Sequence, residues 1–325
     1  MRKRVLSGVK PSGEQAHIGN YFGAMRQFVE LQETHENFIF VADYHALTTI
    51  HDGEALRQYT LEIATEHLAV GLDPEKTVLF RQSDVPEVAE LAWVLGCVTP
   101  HGLLERAHAF KDARAKGLEV NAGLFNYPVL MAADILIYKS HLVPVGQDQK
   151  QHIEITRDIA EKFNRTFGKV FIVPQALISE ETGVILGLDG RKMSKSYGNT
   201  IMLFEPEESI YKKVMRIVTD STPLGHPLNP DKCTVFAFHR LFNPEGLEEL
   251  RQRYLEGSIG YAEAKKWLFE KMMEKLRPLR ERWAELRRQP EYVEQVLREG
   301  GEKARAVARE TMREVRQAVG VGGLR

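Results

Sequence analysis

Along roughly the first two hundred positions, apolar residues gather in short unbroken runs such as Asn37-Phe38-Ile39-Phe40-Val41-Ala42 and Thr77-Val78-Leu79-Phe80-Arg81. Between these runs they recur every three or four residues among charged ones. Short continuous runs bounded by turn residues read as strands buried on both faces, and the periodic stretches as amphipathic helices. The pattern predicts strands at 4–9, 37–42, 77–81, 141–145 and 170–173. It predicts helices at 19–33, 54–70, from 86, 123–139 and 149–163. Such alternation specifies an α/β fold, a Rossmann-like doubly wound parallel sheet with helices on both faces. Ligands of these sheets bind beyond the carboxyl ends of the strands, here the loops 10–13, 43–45 and 146–149.

The strand pattern stops near residue 200. Residues 223–230 are turn-rich, and from 236 onward the periodicity is helical, with Pro290 separating two long stretches, 261–288 and 291–319. The expected division is therefore a catalytic domain over 1–200 and an all-helical domain over 201–325, ending in a frayed Gly-rich tail.

Composition changes this picture little. The 325 residues, 43% hydrophobic and 27% charged, suffice for two domains with a sizeable core. No apolar run could span a bilayer and no apolar segment follows the basic start, so a cytoplasmic protein with no membrane partner is expected. Cys97 and Cys233 are too few for a disulfide framework and are expected to be buried thiols. Trp93, Trp267 and Trp283 fall on predicted helices, as packing residues. Charge balances overall, 44 basic against 45 acidic residues, yet residues 251–325 carry a net +6 and the rest a net −7. A basic tail on an acidic body is compatible with a polyanion, although on charge alone a solvated helical surface laced with i,i+4 ion pairs is the better account.

Three segments carry candidate chemistry. Pro11-Ser12-Gly13 and His17-Ile18-Gly19-Asn20 follow the first strand, where small residues and a helix start can admit a phosphate. Alone, this is more often a tight turn and a helix cap. Lys192-Met193-Ser194-Lys195-Ser196, flanked by glycines, puts two ammonium groups three residues apart on a loop able to neutralise a leaving pyrophosphate. Asp134 lies within the apolar helix Tyr127-Pro128-Val129-Leu130-Met131-Ala132-Ala133-Asp134. A carboxylate there needs a partner, either a neighbouring element or a ligand that is purely a donor, as an indole N–H is.

The first two segments together resemble the HIGH and KMSKS signatures of class I aminoacyl-tRNA synthetases, with Asn20 in the last place of the first and a complete match to the second. The runs YPVLMAADIL and VPVGQDQKQH further resemble the bacterial tryptophanyl-tRNA synthetases, over residues 4–200 and more loosely beyond. That resemblance implies activation of L-tryptophan with ATP and Mg²⁺ and its transfer to tRNA(Trp), by a homodimer whose helical region reads the anticodon. It implies that Asp134 accepts from the indole, with Leu6, His45, Tyr127 and Met131 around the ring. Gln149 and Tyr127 would hold the ammonium group. Lys10, Pro11, Ser12, Gly19 and Asn20 would line the phosphates and ribose, and Gly146, Gln147 and Asp148 the ribose hydroxyls. Ile185 would meet the adenine, while His17, Lys192, Met193, Ser194, Lys195 and Ser196 would act on the phosphates.

Two positions depart from the family's pattern: Lys10 replaces a common glutamine and Leu6 a common aromatic residue. The loop between Gly13 and Ile18 is one residue longer than usual, so no role transfers to residues 14–16. No resident metal is expected, because the histidines lack zinc-ligand spacing and two distant cysteines cannot hold an iron–sulfur cluster. Other readings remain open at this stage: a tyrosyl enzyme or another nucleotidyltransferase, and a non-catalytic RNA-binding relative.

Overall fold

Strands β1 (Arg4–Val9), β2 (Glu36–Val41), β3 (Thr77–Arg81), β4 (Leu142–Pro144) and β5 (Gln175–Leu177) pair in parallel in the computed structural model, in the order β3-β2-β1-β4-β5. The structure describes residues 2–115, 117, 120–146, 149–178 and 184–322. The strand order reverses between β1 and β4, so the crevice for a ligand opens at the carboxyl ends of these two strands. Residues 10–13 and 145–146 leave the sheet there.

The fifth strand is not where the apolar run 170–173 suggests. Phe171 is buried against Phe163, their ring centroids 4.7 Å apart. The backbone around it is tied to a side chain rather than to the sheet: Asn164 Oδ1 accepts from the amides of Val170 and Phe171, each at 3.0 Å, and its Nδ2 donates to the Phe171 carbonyl. Pairing begins only after Pro174, whose carbonyl accepts from Arg157 Nη1 at 2.7 Å. An asparagine three residues from a helix end has taken hydrogen bonds that the apolar pattern assigns to a ladder.

The chain forms two compact units, Met1–Glu14 with Phe28–Ser179 and Gln289–Arg325, and Gln15–Gln27 with Glu180–Arg288. They do not coincide with a division at residue 200. In the first unit the terminal helix Pro290–Val319 sets Ala304, Ala308, Met312 and Val315 into the same apolar core as Val88, Leu91 and Ile135. Their spacing of three to four residues is one helical face. Arg305 and Arg309 bond to Glu87 Oε1 at 2.9 and 3.2 Å, and Arg316 to Glu90. Part of the basic tail is thus spent on ion pairs with the acidic body.

The second unit takes in Gln15–Gln27 and the helices Glu207–Met215, Thr234–Phe242, Leu247–Glu256 and Tyr261–Leu286. Its buried residues include Ile210, Phe236, Phe242 and Leu268. Trp283 stacks on Phe204 and Trp267 meets His239 edge-on, as packing residues should. Trp93 does not pack, being 77% exposed on the helix Glu87–Gly96, and Cys97 beside it is exposed whereas Cys233 is buried. Both point away from the helix face that Val88, Leu91 and Leu95 bury, which periodicity alone leaves unassigned at the helix end. Among the described residues no helix is long and apolar enough to cross a membrane.

Two buried histidines make the fold acid-sensitive. His67 and His239 are 3% and 0% exposed, and burial lowers each ring to about 4. His67 Nδ1 meets the Ile63 carbonyl and His239 Nε2 the Ala264 carbonyl, so both rings are held neutral. A histidine lowered on folding binds its proton more readily in the unfolded chain, so stability is lost as pH falls from about 6.5 towards about 4. Each ring should cost about 2 kcal/mol between about pH 7 and about pH 5. Thermal unfolding at the two pH values should show a clearly lower midpoint in acid; equal midpoints would mean that neither ring is held neutral.

Candidate active site

The helix Ala122–Ile137 places Tyr127, Met131 and Asp134 at relative positions 0, 4 and 7, one face of the helix. Asp134 is 2% exposed. His45 Nε2 lies 2.9 Å from its Oδ2, and Gln82 Nε2 donates to Oδ1 and Oδ2 at 2.9 and 2.8 Å. Burial raises the carboxyl above its ordinary range, against the hydrogen bond and charge of His45 and the hydrogen bond of Gln82. A carboxylate offers about four acceptor sites, so these two donors leave room for one more. The neighbouring-element reading of Asp134 thus holds, and it is compatible with a ligand donor.

Tyr127 and His45 meet edge-on, their ring centres 6.1 Å apart. Tyr127 Oη lies 2.5 Å from His152 Nε2, and His152 Nδ1 lies 2.9 Å from Gln149 Oε1. Burial pushes the Tyr127 phenol up to about 12, so it stays protonated near neutral pH. The structure therefore joins His45, Tyr127, Met131, Asp134 and Gln149 in one unit. Leu6 is 1% exposed and belongs to the same apolar core as Val129 and Ala133 of the helix Ala122–Ile137.

Beyond β1, Lys10 Nζ donates to Thr48 Oγ1 at 3.2 Å, and partial burial lowers its ammonium below the usual lysine range. Pro11 is buried and Ser12 exposed. Gly13 has φ +75°, and a Cβ there would lie 2.5 Å from the Tyr59 ring, so only glycine fits this turn. Gly146 is exposed and its carbonyl accepts from Gln149 N at 3.0 Å. Gln147 and Asp148 lie outside the described residues.

The other two signatures meet in the second unit. His17 caps the helix start at Ile18–Asn20: its Nδ1 accepts from Asn20 N at 3.2 Å, while Asn20 Oδ1 accepts from His17 N at 3.0 Å. This reciprocal arrangement is a capping box built with a histidine. The segment after the lysine loop lies alongside, with Ile18 N bonded to Ile201 O and Leu203 N to Ala16 O, both at 2.9 Å. Gly19 N approaches Met193 Sδ at 3.3 Å, and Met193 N donates to Ile185 O at 2.7 Å. The first signature and the lysine loop, 174 residues apart in sequence, are one structural piece.

Within the loop Met193 is buried, whereas Lys192 and Ser196 are exposed and Ser194 and Lys195 half-buried. Asn199, 3% exposed, pins the loop: its Oδ1 accepts from Ser194 N at 2.8 Å and its Nδ2 donates to Lys192 O and to Asp189 Oδ1. A Cβ on Gly187 would lie 2.3 Å from the Asn199 amide, so glycine is needed to admit it. Hydrogen bonds from Asn199 and Arg191 hold the Asp189 carboxyl down to about 2.

Sequence reasoning missed Gln82 and Asn199. Gln82 lies at the carboxyl end of β3, where the rule that singled out the other loops applies equally. Asn199 is a buried polar residue just past the lysine loop, and nothing in its one-dimensional neighbourhood marks it.

A parallel sheet of order β3-β2-β1-β4-β5, reversing between β1 and β4, is the doubly wound α/β architecture in which ligands such as nucleotides bind at the switch point. Residues 1–277 match the family of class I tRNA synthetases (W and Y). The chain is 50% identical to the tryptophan–tRNA ligase of Fusobacterium nucleatum over 322 residues, 99% of each chain. Its structure is similar to that of the tryptophanyl-tRNA synthetase of Campylobacter jejuni complexed with ADP and tryptophan, with TM-score 0.91, 47% identity, and 98% of this chain and 100% of that one covered. It is also similar to the tryptophanyl-tRNA synthetase of Mycoplasma pneumoniae, with TM-score 0.84, 33% identity and 99% of each chain covered. The chain belongs to the class I tRNA synthetases of the tryptophan and tyrosine type.

Proposed function

We propose that this enzyme activates L-tryptophan with Mg²⁺·ATP and transfers it to tRNA(Trp). The observation that carries the choice of amino acid is Asp134, a buried acceptor with unfilled capacity on an otherwise apolar helix face. The relatives, tryptophan–tRNA ligases at about half identity over the whole chain, support the same reading.

In the first step a carboxylate oxygen of tryptophan attacks the α-phosphorus of ATP; that P–O bond forms as the bond to the β-phosphate breaks, and pyrophosphate leaves. In the second a terminal ribose hydroxyl of the tRNA attacks the acyl carbon and AMP leaves. No side chain needs to bond covalently to the substrate, so the protein's contribution is positioning and charge stabilisation. Asp134 accepts the indole N–H, with His45, Tyr127 and Met131 around the ring. Gln149 and Tyr127 hold the ammonium group. Gly146, with Gln147 and Asp148, takes the ribose, and Ile185 the adenine. Lys10, Pro11, Ser12, Gly19 and Asn20 line the phosphates and ribose. Lys192, Ser194, Lys195 and Ser196, with His17, neutralise the departing pyrophosphate.

Reading of the tRNA falls to the helical region after residue 200, of which the terminal helix buries one face in the core of the first unit. A cytoplasmic homodimer completes the proposal, on the family resemblance. Incubation with ATP, Mg²⁺, labelled tryptophan and tRNA(Trp) should give acid-precipitable tryptophanyl-tRNA. Its absence, with pyrophosphate exchange intact, would restrict the function to amino-acid activation.

A further inference from the structure

Among the groups around Asp134, one has no assigned role. Gln82 is 1% exposed, and each of its polar atoms is engaged. Its Nε2 donates to both oxygens of Asp134, while its Oε1 accepts from the backbone amides of Tyr44 and His45 at 3.0 and 3.3 Å. These partners dictate which way the carboxamide points. A backbone N–H can only donate and a carboxylate only accept, so a flipped amide would set oxygen against carboxylate and NH₂ against N–H.

The turn that carries Gln82 is clamped from both sides. Ser83 N donates to Asp43 Oδ1 at 3.0 Å, and Asp84 Oδ2 accepts from Arg81 Nε at 3.0 Å. Arg81 in turn reaches Glu294 on the terminal helix at 2.7 Å, and Gly301 of that helix lies against Asp84, where a Cβ would come within 2.8 Å.

We infer that Gln82 is a specificity-determining positioning residue: by spanning both carboxylate oxygens it keeps Asp134 an acceptor, so that the site demands an N–H donor on the substrate's ring. The inference rests on the reading of Asp134 as the indole acceptor. The energetic reason lies in what a ligand without that donor would do. It would cover a buried carboxylate and leave one acceptor unpaired, a far larger penalty than a missing apolar contact. Without Gln82 the carboxyl loses a donor on each oxygen while remaining buried, and only His45 on Oδ2 is left to hold it, so that Oδ1 can swing aside or take a proton. A protonated or rotated acid no longer discriminates by N–H.

The test compares kcat/KM for tryptophan with that for 3-(benzothiophen-3-yl)alanine, a ring of similar shape without the N–H, in ATP–pyrophosphate exchange. The wild type, Gln82→Met, Gln82→Glu and Asp134→Asn are measured together with their melting midpoints. Gln82→Met keeps the length and removes the donor; Gln82→Glu keeps the acceptor for Tyr44 and His45 but sets a second carboxyl against Asp134, so that the buried pair shares a proton and Asp134 is no longer purely an acceptor, and it carries the test if the Met variant does not fold. Both should lower the tryptophan preference by at least about tenfold, mainly through KM for tryptophan, with KM for ATP within about twofold of wild type. An unchanged preference in the folded Gln82 variants, while Asp134→Asn loses it, would overturn the inference and leave the Asp134 reading standing. An unchanged preference in Asp134→Asn would overturn that reading, and the inference with it.

Discussion

Lys195→Ala should slow adenylate formation by about 10²- to 10³-fold while leaving equilibrium tryptophan affinity nearly unchanged. Lys195 starts the turn Lys195–Tyr197, closed by Gly198 in the left-handed region at φ +63°. Its backbone position is fixed from both sides, by Asn199 on Ser194 N and by the bond from Gly198 N to Lys195 O at 3.0 Å. With the backbone held, only the side chain's own rotamers remain to be ordered as charge appears on the departing pyrophosphate, so loss of the ammonium group raises the barrier without weakening the ground state. Single-turnover activation and equilibrium binding of tryptophan separate the two effects. Collapse of tryptophan affinity with an unchanged rate per bound substrate would place the lysine in the amino-acid pocket.

Gly300→Ala should be the most damaging conservative substitution in the fold. Gly300 lies mid-way along the helix Pro290–Val319, where alanine would ordinarily stabilise by about 1 kcal/mol. Here the added Cβ would stand 1.9 Å from the carbonyl oxygen of Leu79, on β3 at the edge of the sheet. That obstacle is backbone and cannot rotate away. The whole helix must retreat, loosening Ala304, Ala308 and Met312 in the core and the Arg305–Glu87 contact. Overpacking costs typically 1–3 kcal/mol and more when the backbone itself is displaced, so a net loss of about 2–4 kcal/mol is expected. The melting midpoint should fall by about 3–6 °C, given an unfolding entropy of about 2.1 cal/mol/K per residue. Gly96→Ala is the control, because nothing lies within 4 Å of a Cβ at that position. If both variants melt together with the wild type, the helix does not bear on the strand edge as described.

The legible and illegible parts of this protein divide along a physical line. Strands β1 and β3 fall where the apolar runs place them, since a parallel strand buried on both faces leaves a continuous signal. The run at 170–173 carries the same signal without forming a strand, because Asn164 satisfies its backbone from outside the sheet. Asp134 stood out by being polar where its neighbours are apolar. Gln82 and Asn199 did not, although each bonds as many groups, because a buried carboxamide resembles a surface one until its partners are in view. The terminal helix was legible only in part. Its arginines face solvent as a charged helix predicts, but the partners of Arg305, Arg309 and Arg316 are Glu87 and Glu90, more than two hundred residues earlier, and not neighbours on the same helix. Long-range pairing of that kind leaves no local pattern.

In the proposed reaction a tryptophan-selecting carboxylate, Asp134, is coupled to activation by ATP. ATP–pyrophosphate exchange, run with each of the twenty amino acids in turn and with and without Mg²⁺, tests it most directly. Exchange should appear with tryptophan and Mg²⁺ and stay at background with the other nineteen, tyrosine included. Exchange driven by tyrosine, or proceeding with no amino acid at all, would contradict the account.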